Sequence, residues 1–321
     1  MVIRPYRAGD EAALVDLWNM AAPQDGINSW RFRQKILLDA NFDPRGLLVA
    51  EDQGDLAGWL LALTWQLPMR GTELEEETGW ITAFGVHPAF RRRGIGTQLF
   101  DGAGEFFRDR GRNTVYFASY APHYFLPGID AEVYPAGYQL LQREGFRVLY
   151  SPVAMDKKLV GFTTGEDVRE VSQRLSRQGY EIGALASSGV WPLLDFVARE
   201  FDADWLRAIR EALAGGVPDG QILVARGPGA SVAGFAMYGG YDGIGERFGP
   251  FGVARALRGT GLGKVLLYRT LESMAQAGLH SAWFLWTGEQ EPAGHLYRRA
   301  GFAVTRRFHV MVKDLKGGQG Q

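Results

Sequence analysis

Residues 86–96 read VHPAFRRRGIG and residues 253–263 read VARALRGTGLG, so the pattern V-x-x-x-x-R-x-x-G-x-G occurs twice, 167 positions apart. Each copy follows an apolar strand-like run and leads into an apolar helix-like one. The N–H groups that open a helix lack partners and point outward, and the helix dipole adds partial positive charge there. Glycines at Gly94 and Gly96, and at Gly261 and Gly263, let an anion approach that backbone closely. Arg91, Arg92, Arg93 and Thr97 stand in the first turn; Arg258, Gly259, Thr260 and Lys264 stand in the second. Both turns therefore suit a phosphate or pyrophosphate. A plain glycine turn with solvated charges reads the same residues. The dinucleotide pattern G-x-G-x-x-G and the Walker pattern G-x-x-x-x-G-K-[ST] are both absent.

The elements that must carry these turns are also written twice. LLVAEDQGDLAGW (47–59) and ILVARGPGASVAGF (222–235) each read as strand, Gly-containing turn, strand. Phe84, Gly85 and Val86 match Phe251, Gly252 and Val253 at the same offset of 167, as Gly111 and Phe117 match Gly278 and Phe284. REGF (143–146) matches RAGF (299–302) at 156, so the first half carries extra residues, namely the acidic run GTELEEET (71–78) and part of APHYFLPGIDAEVYPAG (121–137). Landmarks in one order at near-constant spacing indicate a duplication.

Within the first half the pattern predicts a strand near 2–6, then a helix capped by Asp10 with Leu14, Leu17 and Trp18 on one face. A second helix follows over 30–39, then the hairpin, a strand over 80–86 and a helix over 97–110. The half closes with a strand over 114–119, a helix over 136–144 and strands from 146 to 157. The second half repeats this order from 180–187 to 308–315. The polar stretch 165–179 reads as a helical connector, and KGGQGQ as a flexible tail. The expected division is a first domain at 1–159, a connector at 160–179, a second domain at 180–316 and a tail at 317–321.

Composition sets outer bounds. The formal net charge of −1 gives no bulk attraction to nucleic acid or an anionic membrane. The longest apolar run, LAGWLLALTW (56–65), is about half a bilayer span. Cysteine is absent, which excludes disulfides, thiolate zinc sites and cysteine nucleophiles. With no signal-peptide core in the opening residues, the expected location is the cytoplasm.

The order of elements around these turns resembles the GNAT superfamily of N-acetyltransferases, in tandem over nearly the whole chain. The residues that carry the resemblance are V-x-P-x-x-R-x-x-G-x-G at 86–96, its proline-less copy at 253–263, and the Tyr-x-x-x-Gly-Phe ending at Tyr297, Gly301 and Phe302. The resemblance implies an α+β fold of two acyl-CoA N-acyltransferase-like domains, each a twisted, mixed, mostly antiparallel sheet flanked by helices. It implies acetyl-CoA as cosubstrate and no metal. The turn amides would hold its pyrophosphate, and the backbones of Phe84, Val86, Phe251 and Val253 its pantetheine arm. An amine would attack the thioester directly, which requires a base for the ammonium and an acid for the leaving thiolate. Tyr297 stands where the family often places its acid; the first half has Leu141 there, leaving Tyr138, Tyr124 or His123 as replacements. The loop with His123 and Tyr124 would form a substrate lid or wall, and Glu246 is the candidate base. Pro250 is expected to interrupt the second motif strand. The acceptor would be a small-molecule or peptide amine, and the protein a monomer or homodimer. A non-catalytic CoA-binding module and a scaffold on an inherited fold fit the same residues.

Overall fold

Gln53 and Gly54 both adopt positive φ, 53° and 93°, the twist of a two-residue hairpin turn. They join the two strands read at 47–59. The computed structural model describes residues 1–121 and 123–315; the tail expected at 317–321 lies outside them. In chain order the first half forms β1 (Val2–Pro5), α1 (Glu11–Ala21), α2 (Ser29–Phe32), β2 (Leu47–Asp52), β3 (Asp55–Leu63), β4 (Thr78–Val86), α3 (Ile95–Arg108), β5 (Thr114–Phe117), α4 (Pro135–Arg143), β6 (Arg147–Tyr150) and β7 (Val153–Lys158). It continues with α5 (Glu166–Arg177), β8 (Glu181–Ala184), α6 (Val190–Glu200), α7 (Ala203–Ala214), β9 (Ile222–Arg226), β10 (Val232–Tyr238), β11 (Phe248–Val253), α8 (Leu262–Gln276), β12 (Ser281–Thr287), α9 (Pro292–Arg299), β13 (Ala303–Arg307) and β14 (Val310–Asp314).

The chain divides into two compact units, Met1–Pro152 with the chain from Arg306 onward, and Val153–Thr305. In the first, seven strands run β1-β2-β3-β4-β5-β14-β6, antiparallel except for the parallel pair β4/β5. α3 covers one face with Leu99, Ala103 and Phe107, and α1 covers the other with Leu14, Leu17 and Trp18. These apolar faces recur at helical spacing, which is why the segments form helices on a sheet. Asp10, expected to cap α1, makes no cap bond. Its carboxylate accepts from Arg4 at 2.8 and 2.9 Å, because that largely buried guanidinium requires a counter-ion.

The second unit has two sheets, β11-β10-β9-β8 and β12-β7-β13. Here the expected boundaries are corrected. β7, written in the first half, is the middle strand between β12 and β13, while β14, written in the second, lies between β5 and β6. The two strands are exchanged between the halves. Both are buried, with Val153 at 0% and Met155 at 1% exposure, and Val310 and Met311 at 0%. Nor is 165–179 a bare connector: α5 buries Val168 and Leu175 in the second unit's core and packs Val171 against it. Pro250 does not interrupt β11. With Gly249 it lies where the register against β10 shifts between Ala236 and Tyr238, a bulge that absorbs the missing donor.

Candidate active site

The parallel pairing of β4 and β5 runs only from Thr78↔Thr114 to Ile81↔Phe117. The N–H of Ala118 donates once more, to the Ile81 carbonyl at 2.9 Å. Ala118 and Ser119 then take positive φ, 65° and 53°, and the chain turns away. β4 continues to Val86, paired on its far side with β3 and bulged at Thr82 between Leu61 and Ala62. The N–H of His87 donates to the Ala57 carbonyl on β3. Strand alternation therefore directs the N–H and C=O of Val86 and Phe84 away from β3, into the gap.

That gap opens into a cleft of about 770 Å³, within the range of small-molecule sites. Thr82, Phe84 and Val86 line one side, and the turn lines one end with Arg91, Arg92, Gly94, Gly96 and Thr97. Gly94 is the α3 N-cap in the left-handed region (φ 79°), with no side chain bonded to the helix end. A Cβ there would meet nothing nearer than Gln98 Nε2 at 3.9 Å, so the approach is open. Arg92 faces the cleft. Arg91 also braces the turn, donating to the carbonyls of Val86 at 3.3 Å and Ala21 at 3.2 Å. Arg93 lies 5.2 Å over the Phe90 ring and 3.9 Å from Asp52. Arg143 of α4 adds a cation to the lining that the sequence reading missed.

The opposite wall comes from the turn after α1, the loop after β5 and α4: Gln24, Leu126, Ile129, Val133, Tyr134 and Leu140. The loop lines the cleft through its later residues and not through the two expected ones. His123 is held by Asp39 at 2.8 Å in a buried network with Tyr120 and Asn41, and neither His123 nor Tyr124 is among the cleft lining. Tyr138 stacks against His309 at 5.3 Å and is also outside the lining. Leu141 is fully buried.

The cleft hydroxyl that sequence reading missed is Tyr134, the residue before α4. Its phenol donates to Asp25. Arg306 donates to both Asp25 oxygens at 2.7 and 3.1 Å, and through Nε to Asp130 at 2.8 Å. Asp130 also accepts from the N–H groups of Glu132 and Val133. Burial, reinforced by the Asp25 carboxylate, pushes the Tyr134 phenol far above its ordinary value, so it is protonated at neutral pH. No motif marks it, since its partners come from three distant segments.

The second unit repeats the geometry with differences. The N–H of Ala254 donates to the Ala233 carbonyl, which leaves Val253 and Phe251 directed away from β10. β11 meets β12 through a bridge between Arg247 and Trp283 and a bond from the Trp283 N–H to the Glu246 carbonyl at 3.0 Å. Glu246 thus stands at the closed base of the gap, not at its open end. Tyr297 lies in the core, ringed by Phe248, Phe251, Phe284 and Phe302 at centroid distances of 4.5–6.0 Å. Burial raises its pKa far above the ordinary value. The turn has the same form, with Gly259 and the N-cap Gly261 at φ 81° and 94°. Yet the Thr260 hydroxyl takes the Leu262 N–H at 3.3 Å, and Lys264 is engaged by Asp167 at 2.5 Å. Arg258 is exposed, and Gly263 faces Phe251 and Val253.

Among the described residues no group of side chains could hold a metal ion, and no helix is long and apolar enough to cross a membrane.

Comparison with known families matches residues 12–125 to the acetyltransferase (GNAT) family and residues 218–304 to an acetyltransferase (GNAT) domain. No curated protein sequence matches. Among solved structures, a GCN5-related glucosamine N-acetyltransferase region of a fungal multi-domain GH3 β-N-acetylglucosaminidase aligns at 19% identity and TM-score 0.78, over 97% of this chain and 38% of that one. This chain therefore spans well under half of that protein. A GCN5-related N-acetyltransferase from Sphaerobacter thermophilus aligns at 18% identity and TM-score 0.71, over 98% and 95% of the two chains. A tandem GNAT protein of the clavulanic acid biosynthesis pathway aligns at 17% identity and TM-score 0.66, over 100% and 99%. At these identities the likeness is one of fold.

Proposed function

This chain belongs to the acetyltransferase (GNAT) family and carries its domain twice, and from that premise we propose that it moves an acetyl group from acetyl-CoA to a primary amine in the first unit's cleft. The observation that carries this is the open edge of β4 leading directly into a turn whose amides are free. Acetyl-CoA supplies the activated acyl group; the chain supplies position and polarity. The amides of residues 92–97, with Arg92, suit the pyrophosphate. The outward N–H and C=O groups of Phe84 and the outward N–H of Val86 suit an amide-bearing arm, which pairs with them as a strand would, while the Val86 carbonyl is taken by Arg91.

An ammonium with a pKa of about 10 must lose a proton before it attacks. Tyr134 keeps its proton, donating a hydrogen bond to Asp25, and its oxygen, which also lies beside Arg306, retains a lone pair that can accept a hydrogen bond from the amine; the ammonium's proton goes to solvent in the open cleft, and the leaving thiolate takes a proton back from solvent. Asp25 and Asp130, behind Tyr134 and outside the cleft lining, share Arg306 and fix the tyrosine in place. A small-molecule or peptide amine fits, in a soluble monomer or homodimer of the cytoplasm.

The test is a calorimetric titration with acetyl-CoA, followed by thiol release across a panel of amines. The chain contains no cysteine, so the protein contributes no background thiol. Heat with saturation and amine-dependent thiol release are expected. Absence of heat at millimolar acetyl-CoA overturns the proposal, and binding without release to any amine leaves a CoA-binding module.

A further inference from the structure

The two glycine turns have the same backbone, but only one is open. α5 lies against the second. A Cβ on Gly261 would stand 2.7 Å from Val171 Cγ1 and 3.3 Å from Arg174 Nη2, whereas the space in front of Gly94 is clear. Arg174 donates to the Thr260 carbonyl at 2.7 Å. Asp167, in the first turn of α5, takes the Lys264 ammonium at 2.5 Å, and this pairing lowers the Asp167 pKa. Val168 and Leu175 hold α5 to the core at 2% and 3% exposure.

We infer that α5 is a built-in cover for the second turn, so that the chain takes up one acyl-CoA, through the first unit. A phosphate bonds backbone amides only at hydrogen-bond distance, and Val171 and Arg174 fill the space beside Gly261 that stands open beside Gly94. Lys264, one of the cations at this turn, already has the Asp167 carboxylate, which repels a second anion at short range. The Thr260 hydroxyl satisfies one of the donors that an anion would otherwise use. The acidic residue and the valine sit four positions apart on α5, with the arginine three further on. This places all three on one side of the helix, toward the turn. β14, written after the second unit, still completes the sheet of the first.

The inference rests on the proposed use of acyl-CoA, and the experiment separates the two. Full-length protein is titrated with CoA by calorimetry, and hydrogen exchange is followed by mass spectrometry with and without ligand. The expected stoichiometry is one. Peptides covering 91–98 should slow at least about tenfold on CoA addition, while those covering 258–265 should not change and should already exchange more slowly in the free protein. Gly94→Glu should abolish the heat. Gly261→Ala should leave stoichiometry and Kd within about twofold, yet lower Tm by more than about 3 °C through its contact with Val171 and its positive φ. Two sites, new protection at 258–265, or a stoichiometry altered by Gly261→Ala would overturn the cover. If no CoA binds at all, the function proposed above fails. Exchange in the free protein then decides the cover alone, and equal rates in the two turns overturn it.

Discussion

Replacing Arg306 with methionine removes the one cation that joins Asp25, Asp130 and, through Asp25, Tyr134. Three guanidinium nitrogens are used, at 2.7, 3.1 and 2.8 Å, and the two carboxylates are only 13% and 5% exposed. Stranding the partner of a buried ion pair costs about 3–5 kcal/mol. Asp25 keeps the Tyr134 hydroxyl and Asp130 keeps two backbone N–H groups, while Arg306 is itself 22% exposed. These remaining partners place the loss at the lower end, about 3 kcal/mol, a large part of a typical domain stability of about 5–15 kcal/mol. Native-state hydrogen exchange on β4 and β14 peptides reads this loss in the first unit without requiring the whole chain to unfold in one step. The variant should retain acetyl-CoA binding, because Arg306 is not among the residues at the turn. Arg306→Lys should recover only part of the loss, since an ammonium cannot span both carboxylates as a fork does. A loss below about 1 kcal/mol would mean that water already solvates the cluster. The assignment of Tyr134 as a fixed hydrogen-bond acceptor would then fall with it.

Tyr134→Phe should raise KM for the amine about tenfold with little change in the Kd of CoA, as expected for one lost hydrogen bond, checked by steady-state kinetics and calorimetry. Leu141→Tyr, which would mimic the position of Tyr297, should overpack a fully buried site and cost about 1–3 kcal/mol with no gain in kcat, read by urea unfolding and turnover. For Asp43, burial alone would raise the pKa, but hydrogen bonds from Arg45 and Arg110 outweigh it and hold the carboxyl at about 2. That folded value lies below the unfolded one of about 3.9, so the stabilisation is present above pH 4 and fades as pH falls toward 2. It amounts to at most about 2.6 kcal/mol before solvent screening is discounted, and Asp43→Asn should flatten the acid limb of a stability-versus-pH curve.

The duplication, the hairpin, the strand before the turn and the turn itself were legible because each has a local code. Gln53-Gly54 sets a turn, and Gly94 sets a left-handed cap. The exchange of β7 and β14 was not legible. VAMDKK and VMVKD read as strands, but nothing in their alternation says which sheet they join. α5 was misread although its signal was present: Val168, Val171 and Leu175 repeat at helical spacing within an otherwise polar stretch. Tyr134 escaped because its role depends on Asp25, Asp130 and Arg306, which only the fold brings together. Tyr297 matched a motif position, yet four phenylalanines enclose it.

The position of β14 also governs when the cleft can exist. β14 separates β5 from β6, and Arg306, just before it, pins the cleft tyrosine; both are translated after the whole of the second unit. A nascent chain that stops anywhere before residue 306 has a first-unit sheet with a gap in its middle and an unpinned Tyr134. The edges of β5 and β6 then remain unpaired and open to other chains. Protein quality control would meet such a fragment as unfinished, and an intact first sheet would report that the ribosome had read through both copies of the gene segment.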